Sequence, residues 1–375
     1  MSKTIIQQLA DYGQSIWLDY ISRSLLETGR LKSLIDSGLR GMTSNPTIFN
    51  QAISTSKDYD SKIVKLLEAG KNTFEIYDEL TIRDIQEACD AFKNVYEKTD
   101  ALDGYVSLEI NPKLAMNTDE SIKEGKRLFQ KVQRPNVMIK VPSTKAGFSV
   151  IEELLADGIN VNVTLIFSLE QYDQTAQAYF KGMDRLAQKQ KDLSRTRSVA
   201  SVFVSRIDTT IDKLLDEKKA SPALKGKSAV ANSQLIFEKF QTLFAANTFK
   251  ALFKNHAQPQ RVLWASTGTK NPAYSDIKYV TELISKPTVN TLPENTLNAV
   301  LNHGVVTEAL IGDVKEAKKN FNDLKAVGID VNQVCAKLLT DGVAAFEKSF
   351  DELLDSIKIK SKSLCVTPLS SGRKG

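Results

Sequence analysis

Eight short apolar runs rich in β-branched residues recur along the chain, and each is followed by a stretch of helical period. They lie at 15–21 (S-I-W-L-D-Y-I), 39–49, 103–110, 137–143, 159–168, 198–208, 261–269 and 287–293. The second run passes into a loop at Ser44, Asn45 and Pro46. The runs are nearly continuous in apolar residues rather than alternating, as parallel strands covered on both faces should be. Helices are expected at 3–13, 25–36, across 57–98 with breaks near Gly70 and Asn72, at 118–132 and at 151–158. Ser168 should cap a helix reaching about Lys189, another should begin at Thr209, and a short one should span 275–283. Several more carry the chain from Glu294 to about Lys360.

Eight β-α units in about 290 residues close most economically as an α/β fold of the (β/α)8 TIM-barrel type with extra helices. A doubly wound open sheet would place a glycine-rich phosphate loop after its first strand, and I-W-L-D-Y-I-S-R-S has none. Residues 1–360 are therefore read as one barrel domain. An interposed helical piece at about 219–260 lies between the sixth and seventh runs, and 361–375 is expected to be a flexible tail.

Composition narrows the function. The chain has 375 residues, 42% hydrophobic and 25% charged, which are ordinary globular values. Its net charge of +5 comes from 50 basic and 45 acidic residues without a basic run or aromatic-interleaved patch, so a nucleic-acid partner is not expected. No stretch resembles a signal peptide or a membrane span. Cys89, Cys335 and Cys365 follow no disulfide or metal spacing, which points to three free thiols and a cytoplasmic location. The only histidines, His256 and His303, sit in loop-like or helix-end contexts and are read as structural. A histidine-rich zinc site is thereby excluded; no metal or cofactor is expected, and proton transfers should fall to carboxylates, lysine or water.

The candidate chemistry sits late in the apolar runs, where a barrel directs its side chains into one mouth. Lys140 interrupts V-M-I-K-V-P-S, where an ammonium is costly and a free amine would attack a carbonyl carbon. Asp19 and Glu109 likewise fall late in the first and third runs, with Asn45, Asn162, Thr164, Ser201 and Ser266 late in others. Lysine condensed with a ketone gives an iminium ion, an electron sink that permits cleavage of the neighbouring carbon–carbon bond. The two carboxylates can supply its acid and base steps. Arg206 and Lys270 would suit a terminal phosphate.

At these residues the sequence resembles the transaldolases, Schiff-base enzymes built on a barrel. The matching stretches are G-M-T-S-N-P-T-I-F (41–49), V-S-L-E-I (106–110), V-M-I-K-V-P-S-T (137–144), N-V-T-L-I-F-S (162–168), S-V-F-V-S-R-I-D (201–208) and W-A-S-T-G-T-K-N-P (264–272). The resemblance implies transfer of a dihydroxyacetone unit from sedoheptulose 7-phosphate to glyceraldehyde 3-phosphate. It makes Lys140 the Schiff-base lysine, Asp19 the acid/base for cleavage, and Glu109 a group acting through a water held with Thr164. Asn45, Asn162 and Ser201 would bind donor hydroxyls, and Arg206, with Ser266 and Lys270 nearby, the phosphate. Two features depart from the family pattern: Lys270 stands where better-known members place a second arginine, and the 219–260 piece is longer than in compact members. A fructose 6-phosphate aldolase, a much shorter relative, and a non-catalytic sugar-phosphate-binding barrel are the alternatives. A monomer or homodimer is expected.

Overall fold

Eight parallel strands close on themselves in the computed structural model, which describes residues 3–310 and 314–366. They are β1 (Gln14–Asp19), β2 (Gly41–Thr43), β3 (Tyr105–Glu109), β4 (Val137–Pro142), β5 (Val161–Ile166), β6 (Ser198–Phe203), β7 (Arg261–Ala265) and β8 (Thr288–Leu292). Each pairs with its sequence neighbours, and β8 returns to β1 from Gln14 opposite Thr288 to Leu18 opposite Leu292. The expected (β/α)8 barrel is therefore the fold. Every strand residue is buried except Asp19, at the carboxyl end of β1, which is half-buried.

Local chemistry sets most of the helix starts. Asn45, Asn117, Thr144 and Ser168 each accept a backbone N–H of the first turn, and Ser168 with Gln171 forms a capping box. Gly41 is required by a close approach, since a Cβ there would lie 2.6 Å from the Trp17 ring. Ile139 faces the helix Thr118–Val132, where a Cβ on Gly125 would lie 3.5 Å from its Cγ2. Alternation then turns Lys140 inward, as expected.

Several boundaries differ from those expected. Residues 25–36 hold parts of two helices, Arg23–Glu27 and Arg30–Asp36, separated around Gly29 at φ +77°. The helix after β4 starts at Lys145 rather than 151, directly behind its Thr144 cap. The helix after β6 spans Ser205–Glu217, so Ser205 to Asp208 are helical and Arg206 stands on a first turn instead of a strand end. The interposed segment forms a 3-10 turn (Pro222–Leu224) and the helices Ser228–Ala245 and Asn247–Phe253. Its Phe237 lies 6.5 Å from Trp264 of β7 and its Phe244 5.7 Å from Tyr179, ring to ring, so it packs against the barrel flank.

The final helix, Val331–Val366, reaches beyond the expected start of the tail; residues 367–375 and the Cys365 side chain lie outside the described residues. It runs against the helix Pro46–Thr55, where Thr47 bonds Ser349 and Asn50 bonds Ser356. Cys89 and Cys335 are buried free thiols. Among the described residues no helix is long and apolar enough to cross a membrane.

Candidate active site

Lys140 stands on β4 with its side chain 6% exposed, and its Nζ donates to the Ser44 carbonyl at 3.0 Å. Ser44 is itself held by β3, its hydroxyl donating to the Ser107 carbonyl at 2.7 Å. Glu109 sits opposite Lys140 in the β3–β4 register, with Oε2 3.7 Å from Nζ. Burial pushes the Glu109 carboxyl up to about 7; Lys140 opposes the rise and Asp19 adds to it. Glu109 can therefore give or take a proton near neutral pH.

Asp19 is oriented from two further strands. Thr43 Oγ1 donates to Asp19 Oδ1 at 2.6 Å and lies 2.8 Å from Thr291 Oγ1, which must then be the donor to Thr43. Thr164, on β5, has a buried hydroxyl without a protein hydrogen-bond partner, as has Glu109 Oε2. Unpaired buried polar atoms at a cavity are what a hydroxylated substrate or a bound water would satisfy. Ser201 Oγ donates to Asn162 Oδ1 at 2.6 Å, and Asn162 Nδ2 donates to Ser107 Oγ at 2.9 Å, a relay across β6, β5 and β3.

These groups converge on a cavity of about 230 Å³ lined by Asp19, Asn45, Lys140, Thr164, Ser201, Arg206, Ser266 and Lys270, among others. Eight of the ten residues singled out in the sequence thus meet there. Asn162 lies one inward step deeper on β5 than Thr164, and Glu109 faces an adjoining small space with Pro142, Leu165 and Phe346. Asn45 also caps the helix Pro46–Thr55 through Ile48 N at 3.0 Å. Arg206 is held over the Phe203 ring, 5.2 Å from its centroid, and burial lowers its pKa while Asp19 opposes. Ser266 takes φ +55° just past β7 and lies within 3.1 Å of the Ser205 hydroxyl. Lys270 is exposed at the rim. Neither histidine lines the cavity: His256 and His303 are exposed beside Asp192 and Asp276.

The sequence profile of the Transaldolase/Fructose-6-phosphate aldolase family matches residues 16–357. The chain is 43% identical over 370 residues to a protein named Transaldolase from Trichodesmium erythraeum, covering 95% of this chain and 97% of that one. It is 45% identical to the Saccharopolyspora erythraea Transaldolase, over 94% of this chain and 96% of the relative. The Mycobacterium ulcerans Transaldolase is 43% identical over 96% of this chain and 98% of its own length. The chain belongs to the transaldolase/fructose-6-phosphate aldolase family.

The structure of this family member adds residues that the strand-end pattern did not single out. Thr43 and Thr291 look like any strand threonines, and only barrel closure brings them to Asp19. Phe203 is two residues from Ser201 on β6 and was within reach of the same alternation. Phe346 comes from the final helix and lines both the main cavity and the space beside Glu109. Gly342, one turn earlier, lets that helix approach: a Cβ there would lie 3.0 Å from Leu165 and 3.7 Å from Arg206 Nη1.

Proposed function

We propose that the chain is a transaldolase, moving a dihydroxyacetone unit from sedoheptulose 7-phosphate to glyceraldehyde 3-phosphate through a Schiff base on Lys140. The observation that carries this reading is the buried Lys140 amine at the cavity floor with Glu109 at 3.7 Å and Asp19 lining the same cavity. The amine adds to the donor ketone, and Glu109 supplies the proton that lets the carbinolamine lose water. The resulting iminium draws electrons from the adjacent carbon–carbon bond as Asp19 takes the proton of the neighbouring hydroxyl. Erythrose 4-phosphate departs and an enamine remains. The acceptor aldehyde is attacked by that enamine, with Asp19 returning the proton, and Glu109 then directs water to the imine to release fructose 6-phosphate. Thr164 holds that water, Asn45, Asn162 and Ser201 serve the donor hydroxyls, and Arg206, Ser266 and Lys270 take the phosphate.

The test is reductive trapping. Borohydride added with fructose 6-phosphate should leave a three-carbon adduct on the peptide containing Lys140, and Lys140→Ala should abolish both adduct and turnover. An adduct on another lysine, or an active Lys140→Ala protein, sinks the mechanism. Aldolase chemistry would instead release free dihydroxyacetone at full rate without an acceptor. The paired reading of compartment and assembly is a cytoplasmic monomer or homodimer, to which the two unpaired buried thiols are suited. Sedimentation at micromolar protein decides the assembly, and a larger particle would reject it.

A further inference from the structure

Two carboxylates that the proposed chemistry does not use lie one turn apart on the helix Ser205–Glu217, whose first turn carries Arg206. Asp208 accepts the Ala229 amide at 2.7 Å and the Tyr279 hydroxyl at 2.9 Å. Asp212 accepts the Gly226 amide at 2.9 Å and the Tyr274 hydroxyl at 2.6 Å. Each carboxylate therefore joins one residue of the interposed segment to one tyrosine beyond β7. Lys278 lies over both rings, 5.7 and 5.6 Å from their centroids, and pairs with Glu282. Gly226, at φ +68°, is packed so closely on Tyr274 that a Cβ would lie 2.8 Å from its ring.

What these bonds restrain is the connection 266–277, between β7 and the short helix Lys278–Thr281. It presents Ser266, Gly268 and Lys270 to the cavity. A connection of that length needs anchoring if it is to hold a side chain in place. Its near end is tied where Ser205 N donates to the Ser266 carbonyl at 3.0 Å and Thr267 donates to the Thr291 carbonyl at 3.0 Å. Within it, Thr269 donates to the Ser275 carbonyl at 2.8 Å, and the next fixed point is Tyr274 on Asp212. Arg206 and Lys270, one on the helix and one on the connection, thus hang from one frame.

We infer that Asp208 and Asp212 form a clamp that sets the spacing between Arg206 and Lys270, so that both cations reach the terminal phosphate of the sugar. The interposed segment closes the clamp by supplying the Gly226 and Ala229 amides. Tyr274 and Asp212 are positioning residues, since neither lines the cavity. The inference rests on the phosphate end assigned under Proposed function.

Tyr274→Phe removes one hydroxyl and keeps the ring against Gly226. In the full-length protein it should raise KM for fructose 6-phosphate and the Kd of inorganic phosphate, read by calorimetry, roughly fivefold, the size of one net hydrogen bond. Its kcat should stay within about twofold of wild type, a split expected when binding rather than chemistry is touched. Borohydride trapping with dihydroxyacetone, which carries no phosphate, should be unchanged. Asp212→Asn, whose Oδ1 can still accept the Gly226 amide while its Nδ2 donates to the Tyr274 oxygen, should give a smaller rise. Unchanged phosphate affinity in Tyr274→Phe overturns the clamp, and so does an equal loss with dihydroxyacetone, which would mean general loosening. Absence of any adduct in the wild-type protein would count against the Schiff-base reading, while phosphate calorimetry would still decide the clamp.

Discussion

Replacing Glu109 by glutamine should make the protein more stable at pH 8 and leave it almost unchanged at pH 4. The carboxyl is 6% exposed, and burial lifts it from an ordinary 4.5 to about 7. Between those values the folded protein holds a proton that the unfolded chain has released. Stability therefore falls as pH rises through the window, and the loss is complete above about 7. At about 1.4 kcal/mol per pH unit, the interval corresponds to about 3 kcal/mol. The opposing pull of Lys140, 3.7 Å away, is already contained in the position near 7. Glutamine keeps the shape and does not titrate, so the gap between variant and wild type should widen by about 3 kcal/mol between pH 4 and pH 8. Urea unfolding of both proteins at both pH values measures it, with equal slopes required before midpoints are compared. Titrating groups remote from Glu109 are common to both proteins and cancel, whereas its neighbours Lys140 and Asp19 lose a charged partner in the variant. Parallel pH dependence of the two proteins would refute the claim that this carboxyl is buried at a cost. The same substitution should slow imine formation and hydrolysis, so that stability is gained where activity is lost.

Thr43→Val removes the hydroxyl that donates to Asp19 at 2.6 Å and should lower kcat for donor cleavage about tenfold with KM nearly unchanged, the scale of a bond to a charged group. Thr43→Ser should restore it; a fully active valine variant rejects the orienting role. Gly342→Ala places a methyl 3.0 Å from Leu165 and should cost about 1–3 kcal/mol in unfolding experiments, while an unchanged midpoint would mean that the final helix shifts freely. Phe346→Ala should cost about 3–5 kcal/mol and admit water beside Glu109, moving the acid limb of the pH–rate profile downward from about 7. A limb that stays in place would show that other groups keep that carboxyl dry.

The barrel was legible because its strands are apolar on both faces and its chemistry falls at strand ends, where a polar residue is conspicuous. Lys140 is the clearest instance, a cation inside V-M-I-K-V-P-S, where a buried ammonium is costly. The run S-V-F-V-S-R-I-D concealed the turn from strand to helix at Ser205, because a short apolar run has no period that distinguishes the two. Phe346 was invisible for another reason. In the amphipathic pattern of its helix it reads as a core residue, which it also is, and only tertiary packing puts one edge of it in the site. Asp208, at the end of the sixth apolar run, and Asp212, in the helix expected from Thr209, carried no signal of their own, yet both are buried against partners farther along the chain.

The cavity is completed in two stages along the chain. All eight strands lie before position 293, whereas Phe346, which lines both the main cavity and the space beside Glu109, comes more than fifty positions later. The final helix is thus more than a brace for the barrel. A chain cut short before it would keep every strand and lose the aromatic side of the cavity that Phe346 supplies.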